Sequence, residues 1–449
     1  MRRCGYPRLM KARFQLVIGV LALLGATPAA AALSPAEQEM VRTVDAEQPR
    51  TLTMLEKWVN QNSGSLNIDG VTKVGEMLRA ELEPLGFKVQ WIDMRATGRA
   101  GHIVATHKGN GKGKKLLLIG HLDTVFEPDS PFQRWTRRGN DGEGPGAADD
   151  KGGMAVMVAA LRAMQAAGTL KNADIEIVLT GDEEDSGNPI DLARRDLVAA
   201  GKRADVALDF EGLAQDVGPT GLVDMGSIAR RSSGSWTLTV RAKSGHSSGI
   251  LTRESGSGAI YELARIIDSF RRELPEDKLT FNVGLVGGGA TAKLDEGRIR
   301  LEATGKTNII PAIAVARGDL RALSREQIDR AQAKMRAIVA KPLNGATATI
   351  DFDKDGYPPM APTAGNRALL ARLNAVNADL GLPAMGELDP VKRGAGDISF
   401  VAADVDGLVG LGPASRGDHA PGETVDIASI WRQAKRAAIL MSRLAGERR

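Results

Sequence analysis

The sequence predicts an α/β protein, with a mostly parallel sheet interrupted by a smaller α+β segment. Two observations carry that reading. Between residues 87 and 209 short apolar runs of strand length alternate with helical patterns, as in proteins that pack helices on a parallel sheet. Near residue 227 the pattern becomes strand, helix, three strands, helix, and past residue 348 the alternating style returns.

Residues 41–60 and 70–85 carry apolar side chains at three- and four-residue spacing and read as helices. Strands are expected at 87–92, 103–107, 116–119, 175–180 and 206–209. Residues 153–167 are apolar around most of a helical circumference, which predicts a buried helix. In the middle segment the pattern gives strands at 235–242, 279–286, 298–304 and 314–320 and helices at 255–272 and 325–339. A helix at 365–380 and a strand at 408–411 complete the chain. The expected organisation is a leader over 1–32, a first catalytic part over 33–226, an inserted domain over 227–346 and a second catalytic part over 347–449.

The first 32 residues have the order of a secretory signal peptide: a basic stretch to Arg13, an apolar run over 14–26, then Pro28 and Ala29 to Ala32. Cleavage is expected after Ala30 or Ala32, which makes the mature protein periplasmic or secreted and free of the membrane. The apolar run is too short for a comfortable transmembrane span. The leader also accounts for the formal charge of +4. Without Arg2, Arg3, Arg8, Lys11 and Arg13, 54 basic residues face 55 acidic ones, so no polyanion-binding surface is implied. Aromatics at 4% argue likewise against a nucleic-acid binder that stacks bases. Cys4, the only cysteine, leaves with the leader. The mature chain therefore has no disulfide, and any metal site must be made of His, Asp and Glu.

The chemistry collects just past predicted strand ends, where open α/β sheets bind ligands. The 116–119 strand runs into Gly120, His121, Leu122 and Asp123. The 175–180 strand runs into Asp182, Glu183, Glu184 and Asp185. The 206–209 strand runs into Glu211, and the 408–411 strand, after a short loop, into Asp418 and His419. A glycine-rich turn, residues 144–153, carries Asp149 and Asp150 into the buried helix. It lacks the spacing of a nucleotide-binding loop, and its two aspartates would repel phosphate. Singly these pieces are common. Together, so many carboxylates at one sheet edge would repel one another unless a cation neutralised them. Two histidines with carboxylates suit zinc, so the residues point to a one- or two-metal hydrolase.

These motifs resemble the co-catalytic zinc aminoacylase/carboxypeptidase family, which includes glutamate carboxypeptidase, succinyl-diaminopimelate desuccinylase, acetylornithine deacetylase and di- and tripeptidases. The likeness runs in order through GHLDTV at 120–125, GPGAADDKGG at 144–153, TGDEEDSG at 180–187, DFEG at 209–212, SGHSSG at 244–249, TNIIPA at 307–312, GDLR at 318–321 and the late DH at 418–419. It implies a zinc-peptidase-like α/β domain carrying an inserted lid and dimerisation domain. It also implies two zinc ions per chain, with cobalt or manganese as substitutes. His121, Asp149, Glu184, Glu211 and His419 would be ligands, Asp149 bridging the two ions and Asp150 a bystander. Glu183 would be the general base, and Asp123 would orient His121. His246 would stabilise the oxyanion in the other subunit of a homodimer. Asn308, Arg321 and the loop at Gly396 would meet a substrate carboxylate, with Arg393 an added candidate. His102 and His107 match no ligand position and read as structural.

The expected activity is hydrolysis of an amide bond to an amino acid with a free carboxylate, in a small peptide or N-acyl amino acid, closest in type to glutamate carboxypeptidase. An N-acyl amino acid deacylase or dipeptidase of the same family is the alternative, and a non-catalytic binding protein on the same fold a distant one. Residues 353–359 depart from the glutamate-releasing pattern: those members place an arginine near here, and this chain has Lys354, Asp355 and Tyr357, which puts glutamate preference in doubt.

Overall fold

Six strands form the central sheet, in the order Lys88–Asp93, Gly101–His107, Asp174–Thr180, Lys115–His121, Val206–Asp209, Gly407–Val409. The first two pairings are antiparallel and the other three parallel, so the sheet is mostly parallel. The structure is a computed structural model and describes residues 33–219 and 221–449. The leader expected over residues 1–32 lies outside them.

The Lys115–His121 strand is buried from Leu116 onward, as expected of a central parallel strand covered on both faces. Side chains alternate across a strand. Leu116 and Leu118 accordingly join one apolar cluster with Met154, Val158 and Leu161 of the Lys151–Ala166 helix. Leu117 and Ile119 join another with Leu197, Ile398 and Val401. Every residue of the helix from Lys151 to Met164 is buried, because the C-terminal Ile427–Gly446 helix packs on its outer side. Parallel pairing puts the carboxyl ends of four strands on one edge: His121 lies opposite Thr180, and Ile119 opposite Asp209.

A second sheet is antiparallel and carries its own apolar cluster around Trp236, Phe270 and Met335. Its strands are Gly234–Ala242, Thr280–Phe281, Leu285–Gly289, Ile313–Arg321 and Ala346–Phe352, and the helices Ala259–Glu273 and Arg325–Val339 pack on it.

Some elements differ from the sequence expectation. Residues 41–60 form two helices, Pro35–Ala46 and Gln48–Val59, because Pro49 has no N–H to continue the first and is preset to begin the second. The strand expected over 279–286 is two pieces, both paired to Ile313–Arg321. The small sheet also runs past residue 346, since Ala346–Phe352 pairs along Gly234–Ala242. That strand alternates alanine and threonine, a weak apolar signal.

Candidate metal centre

The Lys115–His121 strand ends on a buried imidazole. His121 Nδ1 lies 3.1 Å from the Asp123 carbonyl oxygen, which accepts its N–H. Nε2 is thereby turned to Asp149 Oδ1, 3.0 Å away. The Asp123 carboxylate is buried below it and fully used: it accepts the Ser65 hydroxyl at 2.6 Å and the backbone N–H groups of Glu183 and Glu184 at 3.0 and 3.1 Å. One residue thus orients the histidine and fixes the loop that carries both glutamates, the kind of support that sets a ligand's tautomer and angle.

Asp149 reaches the site on the glycine-rich turn, which packs tightly. A Cβ on Gly153 would stand 2.0 Å from both Asp150 Oδ1 and the Phe210 carbonyl oxygen. The two oxygens of Asp149 face different histidines: Oδ1 faces His121, and Oδ2 lies 3.1 Å from His419 Nε2. His419 Nε2 is also 3.2 Å from Glu184 Oε2. Glu183 completes a group with His121 and Glu184 whose ligand atoms lie within 4.8 Å of one another, and Asp149, Glu184 and His419 form a second such group. Asp149 therefore stands between two imidazoles and Glu184 belongs to both groups, a fit to two cations sharing one carboxylate.

The electrostatics agree. Burial pushes the Asp149 carboxyl up, but the bonds and charges of His121 and His419 outweigh it and hold the group well below the usual carboxylate range. Burial, with Glu211 nearby, pushes Glu183 well above its ordinary value. Burial and Asp149 push Glu184 up to about 8. The hydrogen bond to Asp149 raises His419 to about 9 against the opposing effect of burial. Buried carboxylates crowded in this way repel one another unless a cation neutralises them, and the two imidazoles would serve such a cation by giving up the proton they share with Asp149.

The structure does not bring Glu211 into either group. Its carboxylate is paired with the buried Arg230 guanidinium, which also donates to the Gly394 carbonyl oxygen at 2.7 Å and to that of Ala395. Gly396 packs behind this pair, where a Cβ would stand 2.5 Å from Glu211 Oε1. Gly394 and Ala395 instead line the cleft, which has a volume of about 220 Å³. Asp149, Glu183, Glu211, Asp418 and His419 line it together with Arg230, Lys392 and Arg393. Arg230 is paired with Glu211, and Lys392 with Asp216 at 2.6 Å.

Other expected residues lie apart. His246 is exposed, with Nδ1 2.8 Å from Ser248 Oγ. Asn308 precedes Ile309, which pairs with His246, and the Asn308 backbone carbonyl accepts the Ser247 N–H at 2.9 Å. Arg321 is held by Asp319 at 2.9 Å. None of the three lines the cleft. His102 is buried between the Ala193 carbonyl, 2.8 Å away, and the Gly181 N–H, 3.1 Å away, and His107 meets the Ala173 carbonyl at 2.9 Å, both structural positions.

Sequence reasoning passes over two supports. Glu423, four residues past His419, accepts the backbone N–H groups of Ala148 and Asp149 at 3.0 and 3.2 Å. Arg194, 1% exposed, lies between Asp182 at 2.6 Å and Asp397 at 2.7 Å. The spacing from His419 to Glu423 is a usable signal; a lone arginine in a run of charged residues is not.

A family model, Peptidase family M20/M25/M40, matches residues 117–443. The chain belongs to this family. It is accordingly a metal-dependent hydrolase of the peptidase/amidohydrolase type. Among M20 relatives, carboxypeptidase G2 of Pseudomonas sp. is 29% identical over 408 residues, covering 88% of this chain and 89% of that protein. Succinyl-diaminopimelate desuccinylase of Bordetella petrii is 27% identical over 373 residues, covering 79% and 88%. Among solved folds, aminopeptidase PepT of Bacillus cereus is similar with a TM-score of 0.71 at 18% identity, covering 89% of this chain and 99% of that one. YXEP of Bacillus subtilis, described as a dinuclear metal binding peptidase of the M20 family, gives 0.61 at 16% identity, covering 89% and 99%.

Proposed function

We propose that this M20 member is an exported two-zinc exopeptidase, glutamate carboxypeptidase-like, that cleaves the amide bond to an amino acid bearing a free carboxylate. The carrying observation is the cleft itself, whose lining brings Asp149, Glu183 and His419 together with Arg230, Lys392 and Arg393. His121, Asp149, Glu184 and His419 would hold the metal, and imidazole with carboxylate oxygen suits zinc. Glu211 is proposed as a further ligand from the family likeness. When bound, a pair of divalent ions polarises a carbonyl and lowers the pKa of bound water.

Glu183 is the general base in this reading. It lies within ligand distance of His121 and Glu184, where a carboxylate can take a proton from the attacking water and return it to the leaving amine. Asp123 keeps His121 in one tautomer and keeps the Glu183 backbone in place. Of Arg230, Lys392 and Arg393, the last is the least tightly paired, 3.8 Å from Glu211, and would meet an anionic C-terminus; a charge-assisted hydrogen bond supplies more than a neutral one. His246 would complete the site across a homodimer, and Asn308 and Arg321 would contact the substrate carboxylate, as the family resemblance implies; the exposure of His246 supports a contact outside its own chain. Light scattering of the mature protein should then give twice the chain mass. Export rests on the basic and apolar order of residues 1–32.

Purified mature protein should be screened with zinc and with cobalt against dipeptides and N-acetyl amino acids varied at the C-terminal residue. Amidation of the C-terminal carboxylate should lower kcat/KM by roughly 10–100-fold, the scale of a lost bond to a charged group. Equal rates on free and amidated substrates would contradict the carboxylate reading. A preference for acetylated substrates over every dipeptide would favour the deacylase alternative, toward which the likeness to desuccinylases points.

A further inference from the structure

Tyr357 lies where the chain leaves the small sheet. It follows the Ala346–Phe352 strand, and its backbone pairs both ways with Ser233: its N–H donates to the Ser233 carbonyl at 2.8 Å, and its carbonyl accepts the Ser233 N–H at 3.0 Å. Ser233 immediately precedes the Gly234–Ala242 strand, where the chain enters that sheet. The two crossings between the sheets are therefore joined at Tyr357.

From there the phenol reaches the loop of the two glutamates. Its oxygen lies 2.8 Å from the Glu183 carbonyl oxygen, 2.9 Å from Arg194 Nη2 and 2.9 Å from Ser186 Oγ. Arginine only donates, and a carbonyl only accepts. The single phenolic proton is thus committed to Glu183. Burial pushes the phenol well above its ordinary value, so the proton stays on. On the other side of the residue, the Glu183 N–H donates to Asp123 Oδ1 at 3.0 Å. Both backbone polar groups of Glu183 are held, one by the segment that carries His121 and the other by the crossing. The ring has its own supports: Phe400 packs on it at 4.9 Å between centroids, and the Arg194 guanidinium lies 5.8 Å from its centre.

We propose that Tyr357 is a positioning residue for Glu183, and that through it the path of the chain between the two sheets sets where the base stands. This rests on the reading of Glu183 as the base. It also gives a role to a residue of the 353–359 segment, where the sequence departs from the glutamate-releasing pattern.

Tyr357→Phe removes the O–H and keeps the ring. With Ala-Glu and N-acetyl-Glu as probes, kcat should fall roughly 10-fold, in line with the sensitivity of rate to small displacements of a reacting group. KM should stay within about twofold, since a positioning residue does not bind substrate. Amide hydrogen exchange over residues 181–187 should quicken in Tyr357→Phe, with or without substrate. Unchanged exchange there, or a loss confined to KM, would overturn the proposal. Glu183→Gln is assayed alongside. If it is inactive while Tyr357→Phe turns over like wild type, only the positioning role has failed. If Glu183→Gln itself turns over like wild type, the base assignment has failed and the positioning role with it.

Discussion

Replacing Glu183 by glutamine should lower turnover by roughly 10²–10⁴-fold, the scale of a positioned proton-transfer group. The substitution keeps shape and backbone, so the bonds from the Glu183 N–H to Asp123 and from Tyr357 to the Glu183 carbonyl persist. KM should change little, and bound metal should stay at its wild-type level. Glu184→Gln should behave differently. Glu184 lies 3.2 Å from His419 and belongs to both metal-capable groups, and a neutral amide is a poorer ligand than a carboxylate. It should lose metal, and excess zinc should restore part of its activity. Because the Glu183 carboxylate also lies within reach of His121 and Glu184, the pair must be compared at one zinc concentration. If Glu183→Gln loses metal while Glu184→Gln keeps it and is inactive, the two roles are exchanged.

Asp149→Asn should have the broadest effect on metal. Each oxygen of this carboxylate faces one of the two histidines, so one substitution touches both positions. Loss of a partner that only supports a ligand costs roughly 10–100-fold in metal affinity; loss of the shared ligand should cost more, and for both ions. Atomic absorption after dialysis should find little metal, whereas His419→Ala should keep part of it. An Asp149→Asn protein that kept full metal content would remove the carboxylate from its central place.

Much of this site is legible in the amino-acid sequence. His121, Glu183, Glu184 and His419 sit at or just past strands whose apolar runs mark them, and Asp149 sits on the glycine turn that opens an apolar helix. A chain with five histidines, and no cysteine beyond Cys4, leaves few other ways to hold a metal. The supporting groups are hidden because their partners are remote in sequence. Arg194 meets Asp397 across 203 positions, Arg230 meets Gly394 across 164, and Tyr357 meets Glu183 across 174. No periodicity records such pairings. The fold divides in the same way. The Val206–Asp209 strand and the Arg325–Val339 helix match their expected bounds, the helix because Ser324 caps it by accepting the Gln327 N–H. The Ala346–Phe352 strand escapes notice because its place depends on Gly234–Ala242, more than a hundred residues earlier. Pro49 marks the helix break in the sequence, yet the apolar spacing that continues through it is the stronger pattern.

The most direct test of a two-ion hydrolase is a metal titration of the wild-type protein. Chelator-stripped protein spanning residues 33–449 is titrated with zinc, and both bound metal and hydrolysis of the best substrate from the screen are followed. Activity should be negligible in the stripped protein, rise with added zinc, and level off at two ions per chain. Full activity at one ion per chain, or undiminished activity in the presence of chelator, would contradict the two-metal site.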